Sequence, residues 1–354
     1  MPLRKRFSSL PPMPNDIITR AIDAVCDGEH LTADHASVVL AEIMEGRADH
    51  VQTGAFLVAL RAKGETVPEL VGLARTMRSL AAPVEIDAHR LVDTAGTGGG
   101  PSTFNVSTTA ALIAAGAGCA VAKHGNRSST SKSGSADLLE ALGVRIDLTP
   151  EQVARCIEET GFGFMFAPAH HQAMKHVVPV RKELAVRTIF NFLGPLTNPA
   201  GATRQLLGVS DRRYQETIAE ALAGLGCDHA LVVSAEDGLD ELSISGVSRV
   251  IEVRDGHTEE WHIGADEVGL AEAPLEALAG GEPADNAAVA RAILAGEQGP
   301  ARDIAVLNAG AAIYVAGESE DVASGVEKAA AALDSGAAAT TLQRLVALSG
   351  KLAG

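Results

Sequence analysis

Between Thr32 and Gly46, apolar residues fall at Ala36, Val39, Leu40, Ile43 and Met44. This i, i+3, i+4, i+7, i+8 spacing predicts a helix with one buried face. Thr32 is placed to cap it and Gly46 to end it. A further helix is predicted over Val51 to Ala62, ending near Gly64. Another begins around Thr66 and Pro68, with Leu70, Leu73, Ala74 and Met77 on one face. Short connections between short helices predict a small helical bundle for residues 1–85.

From Leu91 the pattern changes to short apolar runs alternating with helical stretches. Strands are predicted at Leu91–Ala95, Ala120–Lys123, Arg145–Asp147, Gly163–Phe166, Leu206–Val209, His229–Ser234 and Val250–Val253. Thr149 and Pro150 form a cap followed by proline at a first helical turn. The alternation implies an α/β fold, a mainly parallel central sheet flanked by helices. Ligands of such sheets bind at the carboxyl ends of strands. Gly96, Lys123, His124 and the residues after Ser234 fall at such ends. Gly280 to Asn286 reads as loop, and the alanine-rich Val326 to Leu348 as packing helix.

Composition narrows the function. The 354 residues carry a formal net charge of −16, which argues against a nucleic-acid surface. An anionic substrate must then be met by a local basic pocket. Aromatics are only 3 %, so alanine and glycine fill the interior. Cys26, Cys119, Cys156 and Cys227 have neither zinc-pair spacing nor a disulfide framework, consistent with reduced thiols in the cytoplasm. The basic start MPLRKRFSSLPPMP lacks the apolar segment of a signal peptide, and no membrane span is expected.

Four segments could carry chemistry. Gly96, Gly98, Gly99 and Gly100 follow the first strand and precede a helix, an arrangement suited to phosphate. The loop has neither the dinucleotide GxGxxG spacing nor a Walker lysine. Asn105, Ser107 and Thr108 can cap the next helix, or bind phosphate or a metal-bound water; the residues alone leave both open. The second segment, Lys123 to Ser131, reads as an anion clamp facing the glycine loop, with Ser133-Gly134-Ser135 opening another helix. The third, Asp237 to Ser243, places Asp240 and Glu241 after a strand, where two carboxylates near a polyphosphate suit magnesium. In the fourth, Ala167 to Pro199, His170, His171 and His176 lack the spacing of a zinc site. Arg181 there is suited to a carboxylate, or to a surface salt bridge. Pro195 and Pro199 bracket a rigid corner.

The runs GTGGGPSTFNVST, KHGNRSSTSKSGSADLLEALG, VRKELAVRTIFNFLGPLTNP and DGLDELS, in this order, resemble the anthranilate phosphoribosyltransferases of tryptophan biosynthesis. The resemblance implies a smaller all-helical domain, residues 1–85 plus 186–202, hinged to an α/β domain of residues 86–185 and 203–354. It also implies a homodimer formed through the helical domain. The implied reaction moves the 5-phosphoribosyl group from phosphoribosyl pyrophosphate to the amine of anthranilate. Gly96, Gly99, Gly100, Thr103, Asn105, Val106, Ser107 and Thr108 would hold the donor from one side. Lys123, His124, Gly125, Asn126, Arg127, Ser128, Ser129, Thr130, Ser131 and Ser135 would hold it from the other. Gly96, Asn126 and Arg181 would meet anthranilate. Ser107 and Glu241 would share one magnesium ion, and Asp240 and Glu241 a second. Lys123 would stabilise the leaving group, and His124 would either take a proton late or orient the loop.

Two positions depart from the family pattern. Gly100 stands where aspartate is usual, and Gln172 where proline is usual. The alternatives are a pyrimidine nucleoside phosphorylase-like enzyme and a non-catalytic, nucleic-acid-binding relative. The −16 charge and the Asp240-Glu241 pair count against the second.

Overall fold

The structure, a computed structural model, describes residues 14–128 and 131–354. The expectations for Ser129 and Thr130 lie outside the described residues. Four helices open the chain: α1 (Asp16–Cys26), α2 (Ala33–Met44), α3 (His50–Lys63) and α4 (Val67–Ser79). The predicted face of α2 is buried, and the Thr32 hydroxyl accepts from His35 N at 3.2 Å. Helix α1 was not among the expected elements. Glu69 ties the bundle together from its first α4 turn. Its carboxylate accepts from Thr66 N (2.8 Å), Leu31 N (2.9 Å) and Lys63 Nζ (3.0 Å), and the residue is fully buried. Such a charge is tolerated because both carboxylate oxygens find donors.

A seven-stranded sheet follows: β1 (Leu91–Gly96), β2 (Ala120–Gly125), β3 (Phe162–Phe166), β4 (Arg204–Gly208), β5 (His229–Ala235), β6 (Ser248–Arg254) and β7 (His257–Ile263). Their order is β3-β2-β1-β4-β5-β6-β7. The first five in that order are parallel, as expected, but β6 and β7 pair antiparallel. Edge strand β7 was missed because its first four residues and His262 are exposed, which leaves no apolar run to read.

The strand predicted at Arg145–Asp147 does not form. Val144, Ile146 and Leu148 are buried alternately, as the pattern required, but no neighbouring strand lies there among the described residues. The Arg145 N–H instead donates to Ser349 Oγ of a C-terminal helix (3.1 Å). The period-2 pattern was therefore correct and the ladder absent.

Helices cover the sheet: α5 (Val106–Gly116), α6 (Ser135–Leu142), α7 (Pro150–Thr160), α8 (Ala167–His170), α9 (Val178–Leu184), α10 (Phe190–Leu193), α11 (Gln215–Gly224), α12 (Pro283–Leu294), α13 (Pro300–Val315), α14 (Val322–Asp334) and α15 (Ala337–Ala353). The stretch read as one alanine-rich helix is two, broken at Gly336, whose φ of +75° favours glycine. Helix α12 begins inside the expected 280–286 loop. Buried α5, flanked by α13, α14 and α15, forms the centre of one apolar body.

A second apolar body joins α1–α4 to Val180 of α9, to Phe190, Phe192 and Leu193 of α10, and to α11. It continues onto the β4–β6 face through Leu207, Val232 and Ile251. The N-terminal helices and one face of the sheet thus share a core.

Candidate active site

Adjacent parallel strands β1 and β2 deliver the glycine loop and the Lys123 loop to the same end of the sheet. Asn105 ties the two together. Its amide donates to Ser133 O (3.0 Å), and its Oδ1 accepts from Ser133 Oγ (2.9 Å) and Asn286 Nδ2 (2.9 Å). The Asn105 side chain is therefore engaged in joining the loops and α12. Ser133 was expected only as part of a helix start, and Asn286, read as the end of a loop, was not expected to take part. Val106 is buried, and its N–H goes to Phe104 O (2.7 Å). Thr103 pairs through its backbone with Ala279. Thr108 is buried with its hydroxyl unpartnered.

Beyond β2 the chain folds on Asp137, which accepts from Gly134 N (2.8 Å), Ser128 N (3.3 Å) and Arg127 Nη1 (2.8 Å). Arg127 is exposed and also pairs with Glu140 (2.5 Å). Asn126 O accepts from Ser135 Oγ at 3.2 Å, and Ser131 N donates to Ser128 Oγ at 2.7 Å. Gly125 admits no side chain, because a Cβ there would lie 2.8 Å from the Phe164 ring and meet the Ser135 hydroxyl. Glycine here keeps the two segments in contact.

Lys123 lies beneath the loops rather than in the open cleft, and is 2 % exposed. Its ammonium donates to Thr94 O (2.5 Å) and reaches Thr94 Oγ1 (3.1 Å) and Ser107 Oγ (3.5 Å). Burial pulls its pKa down, while Asp93 and Glu241 act to keep it charged. Asp93, equally buried, accepts from His124 N (3.1 Å) and Asn198 Nδ2 (2.8 Å). Burial pushes its carboxyl up to about 6, against the pull of Lys123 and these bonds. His124 is buried as well. Its Nδ1 is 3.2 Å from Gly194 O, and its ring is 5.1 Å from that of His171. Burial, with the neighbouring histidines, pushes it down to about 3, so it is neutral at physiological pH.

The acidic turn after β5 crosses the tip of β4 to reach β1. Two glycines in register, Gly96 and Gly208, form the floor for it. A Cβ at Gly208 would collide with the Asp240 backbone, and one at Gly96 with the Asp240 carboxylate. Asp240 Oδ2 accepts from Gly98 N at 2.7 Å. Burial raises its pKa, opposed by that bond. Glu241 is pushed up to about 8, first by burial and then by Asp240, opposed by Lys123 and the Ser107 N–H. Two neighbouring buried carboxylates, one of them bonded to the Ser107 N–H, are a hard-oxygen set fitted to magnesium. Among the described residues no group of three or more His, Cys, Asp or Glu could hold a metal. Further oxygens would have to come from ligand or water.

Gly100 also abuts this turn: a Cβ there would come 2.5 Å from Gly238 O. The turn thus occupies space that a side chain at position 100 would need. Arg181, on α9, is partly buried and lies 5.7 Å over the Phe190 ring. His170 Nδ1 donates to Ala82 O (3.0 Å) and His171 Nε2 to Thr197 O (3.2 Å), where the chain passes between the bundle and the sheet.

Sequence and fold comparisons relate the whole chain to known proteins. Residues 19–81 match the family described as glycosyl transferase family, helical bundle domain, and residues 88–339 match the glycosyl transferase family, a/b domain. The anthranilate phosphoribosyltransferase of Rubrobacter xylanophilus is 52 % identical over 340 residues, spanning 96 % of this chain and 99 % of its own. The crystal structure of that enzyme from Thermus thermophilus is 48 % identical with a TM-score of 0.88, covering 93 % of this chain and 99 % of its own. The Saccharomyces cerevisiae enzyme, in complex with phosphoribosyl pyrophosphate and magnesium, is 26 % identical with a TM-score of 0.86, covering 95 % and 98 %. On the match of both domains and near-complete overlap with these relatives, the chain belongs to the anthranilate phosphoribosyltransferase family.

Proposed function

We propose that this chain transfers the 5-phosphoribosyl group of phosphoribosyl pyrophosphate to the amine of anthranilate, releasing pyrophosphate, as a step of tryptophan biosynthesis. The observation that carries this reading is the meeting of three strand-end loops. Asp240 holds the glycine loop at Gly98 N, Glu241 meets Ser107, and Asn105 locks the Lys123 loop alongside. We assign residues 1–85 and 186–202 to the helical domain and residues 86–185 and 203–354 to the donor-binding domain.

The C1–O bond to pyrophosphate breaks as the C1–N bond forms, and the amine proton passes to water. Bound magnesium supplies positive charge against the pyrophosphate oxygens. Ser107, Asp240 and Glu241 would hold it, with two ions per subunit. The glycine loop and Ser107, Thr108 and Ser135 offer N–H and hydroxyl donors to the phosphates. Lys123 acts from below, as the cation that holds Glu241 and Ser107 in place. His124, neutral and bonded to Gly194 O, orients the loop rather than moving a proton. The aromatic amine is already neutral, so no strong base is required, and positioning supplies most of the catalysis.

Arg181 would bind the anthranilate carboxylate, with Gly96 and Asn126 bordering the ring. Closure of the helical domain would bring the acceptor to the donor and exclude water. A homodimer through the helical domain would cover exposed valines there, Val38, Val51 (81 % exposed) and Val58. Among the described residues no helix is long and apolar enough to cross a membrane. We place the enzyme in the cytoplasm.

Loss of anthranilate fluorescence with purified protein tests the reading, omitting magnesium and phosphoribosyl pyrophosphate in turn. Turnover that needs both supports it. In the same assay Arg181→Ala should raise KM for anthranilate by about tenfold or more and leave donor KM near wild type. An unchanged anthranilate KM would remove Arg181 from the acceptor site.

A further inference from the structure

Arg187 follows α9 and reaches back to the glycine loop. Its Nη1 donates to Gly98 O (2.9 Å) and its Nη2 to Thr97 O (3.2 Å). Its own carbonyl accepts from Arg61 Nη1 of α3 (2.8 Å), and its guanidinium lies 6.0 Å over the Phe192 ring. Ser210, just past β4, donates a second bond to Gly98 O at 2.7 Å. Gly99 leaves room for this arrangement, since a Cβ there would fall on the guanidinium.

The peptide geometry gives these bonds a purpose. A trans peptide is planar, and its C=O and N–H point in opposite directions. The peptide joining Thr97 and Gly98 is gripped on both edges: its carbonyl by Arg187, its N–H by Asp240. In the next peptide the Gly98 carbonyl faces Arg187 and Ser210, so the Gly99 N–H faces away from both. Gly98 and Gly99 have φ of +66° and +90°. A glycine pair can flip its peptide at little steric cost. A flip here would turn a carbonyl oxygen toward a bound anion in place of an N–H.

We infer that Arg187 is a positioning residue for the phosphorylated donor: its bond to Thr97 O, with that of Asp240 to Gly98 N, fixes the first peptide, and its bond to Gly98 O holds that carbonyl back so that the loop presents the Gly99 N–H. Because Arg61 holds the Arg187 backbone, the seating of the N-terminal helices sets the shape of the donor loop. This rests on the reading of the glycine loop as the phosphoribosyl pyrophosphate site.

The test is steady-state kinetics and donor-binding calorimetry on the full chain. Arg187→Ala is expected to raise donor KM and the calorimetric Kd by about tenfold, with anthranilate KM changed less than about twofold. Added ethylguanidinium is expected to restore donor affinity in that variant. Arg187→Lys carries the charge but cannot span two carbonyls, and should recover only part of the loss. Ser210→Ala is expected to raise donor KM by about threefold without changing any charge; it also serves if Arg187→Ala does not fold. An unchanged donor KM in Ser210→Ala would mean that Arg187 acts as a charge on the anion, and would overturn the inference. So would a folded Arg187→Ala protein with wild-type donor affinity. A wild-type protein that binds no phosphoribosyl pyrophosphate would overturn the donor-site reading itself, and with it this inference.

Discussion

Asn198 is a single side chain whose removal should be felt both in stability and in its pH dependence. It is 6 % exposed and makes three bonds: Nδ2 to Asp93 Oδ2 (2.8 Å), Nδ2 to Ala122 O (2.8 Å), and Oδ1 from Ala200 N (2.9 Å). In Asn198→Ala all three partners stay buried. A bond to an ionised carboxylate contributes about 2 kcal/mol and each neutral bond about 1, so the expected loss is about 4 kcal/mol near neutral pH. Asp93 binds its proton more tightly in the folded state (about 6) than at its ordinary value of 3.8. Above about 6 it is therefore a buried charge that costs stability, and the cost fades as pH falls below that value. Losing the Asn198 donor lifts the carboxyl further, so the variant takes up its proton at higher pH than wild type. The deficit should accordingly narrow by about 1 kcal/mol as pH falls through 6, because the lost bond is then one to a neutral acid. Urea unfolding followed by circular dichroism at a series of pH values measures this. A deficit below about 1 kcal/mol, or one that widens on acidification, would refute the argument.

Other outcomes follow from the same site. Asp240→Asn combined with Glu241→Gln should lower magnesium-dependent turnover by at least about a hundredfold; a magnesium titration indistinguishable from wild type would place the metal elsewhere. Gly100→Asp, which brings back the usual family residue, should not help this chain. Its Cβ would press on Gly238 O and displace the acidic turn, so the magnesium needed for half-maximal rate should rise by about tenfold, equivalent to ~1.4 kcal/mol. An unaltered metal requirement would show that the turn relaxes freely.

Much of the site was readable before the fold. The glycine cluster after Leu91–Ala95 and the basic run at Lys123 mark themselves by composition, and strand-helix alternation puts both at one end of a sheet. What stayed hidden depends on partners distant in the chain. Gly208 has no side chain to suggest chemistry, yet the acidic turn can cross β4 only because nothing projects there. Arg187 looks like any arginine until the fold sets it against Thr97 and Gly98. Lys123 was expected to face the anion directly. Its burial under Thr94 and Ser107 shows that a basic residue at a strand tip can act inward as well as outward. Of the β6–β7 hairpin, β6 was read at Val250–Val253 and β7 was lost, because an exposed edge strand has no hydrophobic period.

The core shared by α1–α4, α10, α11 and the β4–β6 face bears on how the molecule comes apart. The opening helices and the sheet behind them bury the same side chains, so heat has no obvious place to peel one from the other. Calorimetry should show one endotherm, and a fragment ending near Leu80 should leave its apolar side bare and precipitate. Any closure over the acceptor would then have to leave this common mass whole.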